Sequence, residues 1–224
     1  ELETWLASVL PGRSIALDTA SADASFRRYY RLRAEGSHPS LIAMDAPPEH
    51  EDCRPWLAVA RLFEGASVNV PHIIAENVQQ GFILMSDLGN TTYLQALTAD
   101  NAAALYADAL GSLAAIQLSS RPGVLPEYSR ELLEREIRLF DEWYVARHHG
   151  VELTESERAA LDKVYGRVLE ANLAEPRVFV HRDYHSRNLM HLTDGANPGI
   201  VDFQDAVYGP ISYDLVSLLK DAYI

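Results

Sequence analysis

The sequence predicts a bilobal α+β protein: a small β-rich half over residues 1–86, followed by a larger, mainly helical half over residues 87–224. Three observations carry the prediction. Five strand-like runs fall before residue 87, with a single amphipathic helix between the third and the fourth. From residue 101 the pattern changes to long stretches of helical period. Between residues 178 and 202 a strand–loop–strand–turn–strand layout aims Asp183, Asn188 and Asp202 at one point.

Taken in order, residues 2–10 form a short amphipathic pattern ended by Pro11-Gly12. Strand-like runs follow at 14–17, 26–32 and 41–44, separated by Gly, Ser, Pro and Asp. Asp52 is placed to cap a helix in which Trp56, Leu57, Val59, Ala60 and Phe63 recur at helical spacing, with Gly65 closing it. Two more strands, 72–75 and 81–86, are joined by a polar turn at 77–80, and Asp87-Leu88-Gly89 reads as a hinge. Downstream, 101–118 is Ala- and Leu-rich and 127–149 is charged and periodic; 154–173 opens with a capping box of Thr154 and Glu157. Pro122 and Pro126 separate the first two helices, and Pro176 precedes the strand at 178–180. The last helical stretch, 213–224, stops while still amphipathic, so the C-terminal half is expected to be incomplete in this chain.

Composition narrows the class. A chain of 224 residues suffices for one large domain or two modest lobes, and 48% hydrophobic with 23% charged residues is ordinary for a globular protein. No window approaches eighteen consecutive apolar residues and no leader pattern opens the chain, so neither a membrane span nor a membrane partner is expected. The single cysteine excludes an internal disulfide and fits the cytoplasm, the expected location. A net charge of −13 argues against nucleic acid and reads as a solvated acidic surface, with a cationic substrate as the weaker alternative.

The chemistry is concentrated in Val178-Phe179-Val180-His181-Arg182-Asp183-Tyr184-His185-Ser186-Arg187-Asn188, and then in Gly199-Ile200-Val201-Asp202-Phe203-Gln204-Asp205. An apolar run stops at a cluster of chargeable side chains, and a second and third apolar stretch return the chain to Asp202. Two carboxylates and an amide oxygen are hard donors and bases, suited to Mg²⁺ and phosphate rather than to zinc. Reading Asp183 as a turn cap and Asp202 as a strand end would leave two carboxylates at buried strand ends with no cation. A zinc site of His181, His185 and His191 lacks a fourth soft ligand, since Cys53 is distant in sequence. H-R-D-x-x-x-x-N followed about fourteen residues later by D-F is the spacing of a kinase catalytic loop and metal-binding segment, with Tyr184 in place of Leu and Gln204 in place of Gly.

The 183–188 loop, Asp202 and the stretch Gly209-Pro210-Ile211-Ser212-Tyr213-Asp214-Leu215 resemble the aminoglycoside phosphotransferase and choline kinase superfamily, which shares the protein-kinase fold. Asp23-Ala24-Ser25-Phe26-Arg27-Arg28-Tyr29-Tyr30-Arg31, Met44-Asp45-Ala46-Pro47-Pro48 and Asp202-Phe203-Gln204-Asp205-Ala206 are similar to one branch. That branch comprises the bacterial anomeric kinases of N-acetylmuramate and N-acetylglucosamine in peptidoglycan recycling. The resemblance runs from about residue 13 to the end of the chain. It implies ATP and Mg²⁺ as cofactors, a sugar as small-molecule partner, and a monomer. Asp183 is then the base, and Asn188 and Asp202 the metal ligands. Nucleotide binding falls to Ser25, Phe26, Arg28, Met85 and Asp87, the last two through backbone groups of the hinge. Asp205 and Arg182 face the substrate, with a turn-capping carboxylate and an interior ion pair as their respective alternatives, while His185 orients the loop. Asp214 accepts hydrogen bonds from the loop backbone, with a plain helix cap as its alternative.

One departure stands out. A kinase carries a lysine on its third strand, but the two lysines here, Lys163 and Lys220, lie beyond the hinge, and Met44 occupies roughly that place. Neither a Gly-rich loop nor a P-loop is present. Residues 23–28 supply a small-residue turn and two arginines, which strand alternation points to opposite faces; Arg28 is the expected phosphate clamp. The leading expectation is an ATP-dependent sugar kinase. An aminoglycoside, choline or other alcohol phosphotransferase, and a nucleotide-binding pseudokinase, remain as alternatives.

Overall fold

Five antiparallel strands form the N-terminal sheet: β1 (Leu17–Ala22), β2 (Arg28–Leu32), β3 (Leu41–Asp45), β4 (Ile73–Asn77) and β5 (Phe82–Ser86), in the order β1-β2-β3-β5-β4. The computed structural model describes residues 1–22, 26–36, 38–193 and 195–224. Alternation gives the sheet two apolar faces. Leu32, Leu41, Ala43, Phe82 and Leu84 bury against Leu2 and Leu6 of α1 (Leu2–Val9). Met44, Ile83 and Met85 point the other way and join Trp56, Leu57, Ala60 and Phe63 of α2 (Arg54–Gly65).

Two boundaries differ from the sequence expectation for local reasons. The apolar run at 14–17 is not the first strand. The ladder starts at Leu17 and continues through polar residues, because β2 offers its edge from Leu32 back to Arg28. Asp52 sits one residue before the N-cap Cys53; its carboxylate accepts from Arg54 N at 3.0 Å, and Gly65 is the last helical residue rather than the stop.

The second half carries α3 (Tyr93–Ala96), α4 (Ala102–Leu118), α5 (Arg130–Ile137), α6 (Glu155–Ala174) and α7 (Tyr213–Leu219). The expected single helix over 127–149 divides into α5 and a wide π-helical segment, Phe140–His148, in which His149 N donates to Tyr144 O at 3.1 Å. The wider turn buries Asp141, whose carboxylate accepts from Tyr165 OH at 3.0 Å. The capping box of α6 is present in both bonds: Thr154 N to Glu157 Oε2 at 2.8 Å and Glu157 N to Thr154 Oγ1 at 3.3 Å.

Two short two-stranded sheets complete the fold. β6 (Arg177–Val180) pairs with β9 (Val207–Pro210), and β7 (Leu189–Met190) pairs with β8 (Gly199–Ile200). One apolar cluster joins Met44, Trp56 and Phe63 to Leu113, Ile116, Phe179, Leu189, Ile200 and Phe203, so both halves share a core. The protein-kinase-like architecture of a β-rich N-lobe and a helical C-lobe is thus present. Among the described residues, no helix is long and apolar enough to cross a membrane.

Among the glycines, the closest approach is at Gly81, which has φ +72°; a Cβ there would stand 1.8 Å from Ala46 O. Gly81→Ala is expected to cost about 2 kcal/mol or more. Gly111, exposed on α4 with open space around it, should gain about 0.5–1 kcal/mol on substitution by Ala. Denaturant unfolding of the two variants checks the opposite signs; a loss below about 0.5 kcal/mol at Gly81 would contradict the packing described.

Candidate active site

The loop after β6 is held from both sides. The Asp214 carboxylate, in the first turn of α7 and 1% exposed, accepts from His181 N at 2.7 Å and from Arg182 N at 3.0 Å. His181 is fully buried, and its Nε2 meets Val201 O at 3.0 Å. Tyr184 buries its ring and donates its hydroxyl to Ala109 O of α4 at 2.8 Å. At the far end Ser186 N donates to Asp221 Oδ2 at 2.9 Å, and Leu94 N to Ser186 O at 3.1 Å. Asp183 lies between these anchors and projects to solvent.

The β7–β8 pairing carries Asn188 to Asp202. One step past the ladder, Val201 N donates to Asn188 O at 3.1 Å, and Asn188 Nδ2 donates to Asp202 Oδ2 at 3.2 Å. Asp202 adopts φ +63°, a left-handed conformation rare for a residue with a side chain. The turn lets the next residue, Phe203, bury against Trp56 (ring centroids 5.2 Å apart) and Phe63 (5.9 Å), while the Asp202 carboxylate stays in the cleft. Gln204 Nε2 donates to the other Asp202 oxygen at 3.0 Å.

This donor set fits a magnesium ion. Asn188 Nδ2 is also bonded to Asp183 O at 3.0 Å, which leaves its Oδ1 as the available acceptor beside the Asp202 carboxylate. Among the described residues, no cluster of three His, Cys, Asp or Glu side chains is arranged to hold a metal. One carboxylate and one amide oxygen are the sparse set that suits a cation taking its other ligands from water and phosphate.

Burial sets the protonation of the anchors. It pushes Asp214 up to about 7, against the pull of its two backbone donors, and pushes His181 down to about 4, so that His181 is neutral at pH 7. Partial burial of its carboxyl, with the Asp202 charge added, raises Asp183 above its ordinary value, although the residue is solvent-accessible.

A cleft of about 470 Å³ between the N-terminal sheet and the C-terminal two-stranded sheets is lined by Tyr29, Ile42, Met85, Leu88, Asn188 and Asp202, among others. A hollow of about 570 Å³ between the π-helical segment and the start of α6 contains none of Asp183, Asn188 and Asp202. Met85 is buried on the cleft wall. Asp87 binds Arg31 through both oxygens at 2.7 and 3.0 Å, and also accepts from Ser40 Oγ and Gly89 N. Burial works to raise Asp87, and these donors together bring it below its ordinary value.

Two of the expected site residues, Arg28 and Arg182, are engaged elsewhere. Arg28 faces away from the cleft: it pairs across the ladder with Asp45 and bonds that carboxylate at 2.7 Å, on the face that carries Leu32. Arg27 is on the phase of Tyr29 and Arg31, is 7% exposed, and lies 3.9 Å from Glu51. Arg182 is committed to an internal ion pair with Glu136 rather than presented to a substrate. Ser25 lies outside the described residues. Phe26 is exposed and stacks on His50, with centroids 4.6 Å apart. Asp205 is exposed one turn past Asp202, and His185 packs edge-on against Tyr223. Sequence reading missed Arg31, Tyr29 and Glu136. Counting alternation back from the core residue Leu32 would have found the first two.

A sheet-and-helix kinase fold with two carboxylates and an amide converging beside an interlobe cleft defines a phosphotransferase. The chain belongs to the phosphotransferase enzyme family APH, whose model matches residues 17–224. It is 47% identical over 234 residues to the N-acetylmuramate/N-acetylglucosamine kinase of Pseudomonas aeruginosa, covering 100% of this chain and 68% of that protein. Its identity to the enzyme of the same name from Pseudomonas putida is 47% over 209 residues, covering 93% of this chain and 60% of that protein. The ADP-bound aminoglycoside phosphotransferase APH(2'')-Ib superposes with a TM-score of 0.67 at 14% identity, over 99% of this chain and 76% of that one, a likeness of fold.

The raised Asp214 carboxyl makes a pH-dependent stability term. Its folded value of about 7 exceeds the unfolded 3.8, so the folded state holds the proton longer. The stabilisation is complete below 3.8 and is lost as pH rises through about 7. Relative to Asp214→Asn, the wild type should lose on the order of 2–4 kcal/mol between pH 4 and pH 8. A pH-independent difference in unfolding free energy would show that the carboxylate is ionised throughout.

Proposed function

We propose that this protein is an ATP-dependent kinase that phosphorylates the anomeric C1 hydroxyl of N-acetylmuramate or N-acetylglucosamine. The observation that carries the reading is the convergence of Asp183, Asn188 and Asp202 beside the cleft between the two halves. The nearly half-identical kinases named above support the acceptor.

In this reading residues 1–86 and the hinge hold the nucleotide, and residues 87–224 hold the acceptor side. Asp202 and Asn188 Oδ1 would hold Mg²⁺, which would offset the negative charge of the nucleotide phosphates. Asp183 orients the acceptor hydroxyl and takes its proton, and its raised pKa makes it a better-matched base than an ordinary carboxylate. An anomeric hydroxyl is more acidic than a simple alcohol, which suits a carboxylate. Asp205, exposed beside the transfer point, accepts a hydrogen bond from a sugar hydroxyl. Met85 and the backbone about Asp87 receive the base of the nucleotide. The cationic partner for the phosphates on the sheet side is Arg27 rather than Arg28.

N-acetylglucosamine should be turned over with ATP to a sugar 1-phosphate, seen by phosphorus NMR and labile to mild acid, and its 1-O-methyl glycoside should not react. Equal turnover of the glycoside, or a 6-phosphate product, would overturn the anomeric assignment. On the nucleotide side, Arg27→Ala should lower kcat/KM for ATP by about tenfold or more and Arg28→Ala by less than about threefold. The reverse order would return the clamp to Arg28.

A further inference from the structure

We infer that Glu136, with Tyr128 and Tyr213, is a positioning device for Asp183 that works through Arg182; the inference rests on the reading of Asp183 as the base. Arg182 immediately precedes Asp183 and has φ +80°, in the left-handed region where glycine is the ordinary occupant. A long charged side chain at such a position is disfavoured unless its surroundings hold it there. They do so at both ends. The backbone N–H of Arg182 is taken by Asp214 at 3.0 Å, and its Nη2 donates to Glu136 Oε1 at 2.5 Å.

Glu136 is itself fixed. Its Oε2 accepts from Tyr128 OH and, at 3.5 Å, from Tyr213 OH, the neighbour of Asp214 in sequence. The Arg182 guanidinium lies over the Tyr128 ring, 5.9 Å from its centroid, and Tyr128 N is bonded to Tyr208 O of β9 at 2.9 Å. Nη1 of the same arginine reaches Asp205 O at 3.4 Å, which ties the base's neighbour to the segment bearing Asp202. The geometry leaves Arg182 little to offer a ligand: its Nη2 is taken by Glu136 and its Nη1 by Asp205 O, and its Nε is buried with no hydrogen-bond partner among the described residues. What the pair does control is the backbone torsion from which the Asp183 side chain departs. If the tether is lost, Arg182 is free to relax toward the ordinary right-handed or extended region, which turns the Asp183 carboxylate away from the transfer point.

The test uses the full-length protein, with kcat and KM for ATP measured beside thermal unfolding. Glu136→Gln and Arg182→Ala should each lower kcat about tenfold or more while KM for ATP stays within about twofold. Arg182→Gly should retain more activity than Arg182→Ala, because glycine adopts φ +80° without a tether. In the Arg182→Gly background, Glu136→Gln should cost less than about twofold, since its target is gone. A Glu136→Gln variant with wild-type kcat, or one losing the same factor in both backgrounds, would overturn the inference. Should Glu136→Gln fail to fold, Tyr128→Phe keeps the ring and removes one bond to Glu136. A several-fold fall in kcat at unchanged KM then supports the device, and unchanged kcat overturns it. Asp183→Asn is the reference: full turnover there would overturn the reading of the base itself, whereas its loss with normal Glu136→Gln and Tyr128→Phe would overturn the positioning role alone.

Discussion

The structure around the candidate active site depends on one buried carboxylate. Asp214 has almost no contact with solvent and receives the amides of His181 and Arg182, two consecutive donors at the point where β6 gives way to the loop. Backbone N–H groups leaving a strand end inside a core must find acceptors, and an unmet one costs as much as a lost hydrogen bond. A single carboxylate satisfying both fixes where the loop begins. The remaining anchors, Tyr184 on α4 and Ser186 on Asp221, fix where it goes. Asp183 is therefore presented from a loop with little freedom, the condition for a base that must meet a hydroxyl at a set distance.

The sheet side reaches its geometry differently from the usual kinase arrangement. Where a strand lysine and a helix glutamate would pair, Met44 is fully buried and shares a cluster with Trp56 and Phe63 of α2. Apolar contact thus couples the sheet to α2, and α2 in turn holds Phe203, next to Asp202. An apolar coupling needs no counter-charge and carries no desolvation cost of the kind a buried ion pair does. It also supplies no cation; the arginines that line the cleft are Arg31 on β2 and Arg187 in the loop beside Asn188. Arg31 is spent on Asp87, tying β2 to the hinge.

Much of this was legible in the sequence, for identifiable reasons. The order of strands and helices followed from hydrophobic period, and the loop residues followed from spacing. What escaped were features set by tertiary pairing. The strand β9 is short and ends in Gly209-Pro210, so it has no strand signal of its own; it exists because β6 offers an edge. The break after α5 escaped because the wider i→i+5 turn, which changes which residue points inward, here Asp141, has no residue signal of its own in the sequence. Arg28 was preferred to Arg27 because alternation says that two neighbours part but not which faces the cleft. The register with β3, and Leu32 on the α1 side, decides that. Glu136 was invisible because its partner lies 46 residues away, in a loop whose path only the fold defines.

The central claim is a division of labour, with Asp202 serving the nucleotide through a cation and Asp183 serving the acceptor. Calorimetric titration of ATP, with and without Mg²⁺, into the wild type, Asp202→Asn and Asp183→Asn tests it most directly. The account predicts that Mg²⁺ strengthens ATP binding to the wild type and to Asp183→Asn alike, and that Asp202→Asn loses that Mg²⁺-dependent gain. Equal loss in both variants, or an undiminished Mg²⁺ effect in Asp202→Asn, would contradict it.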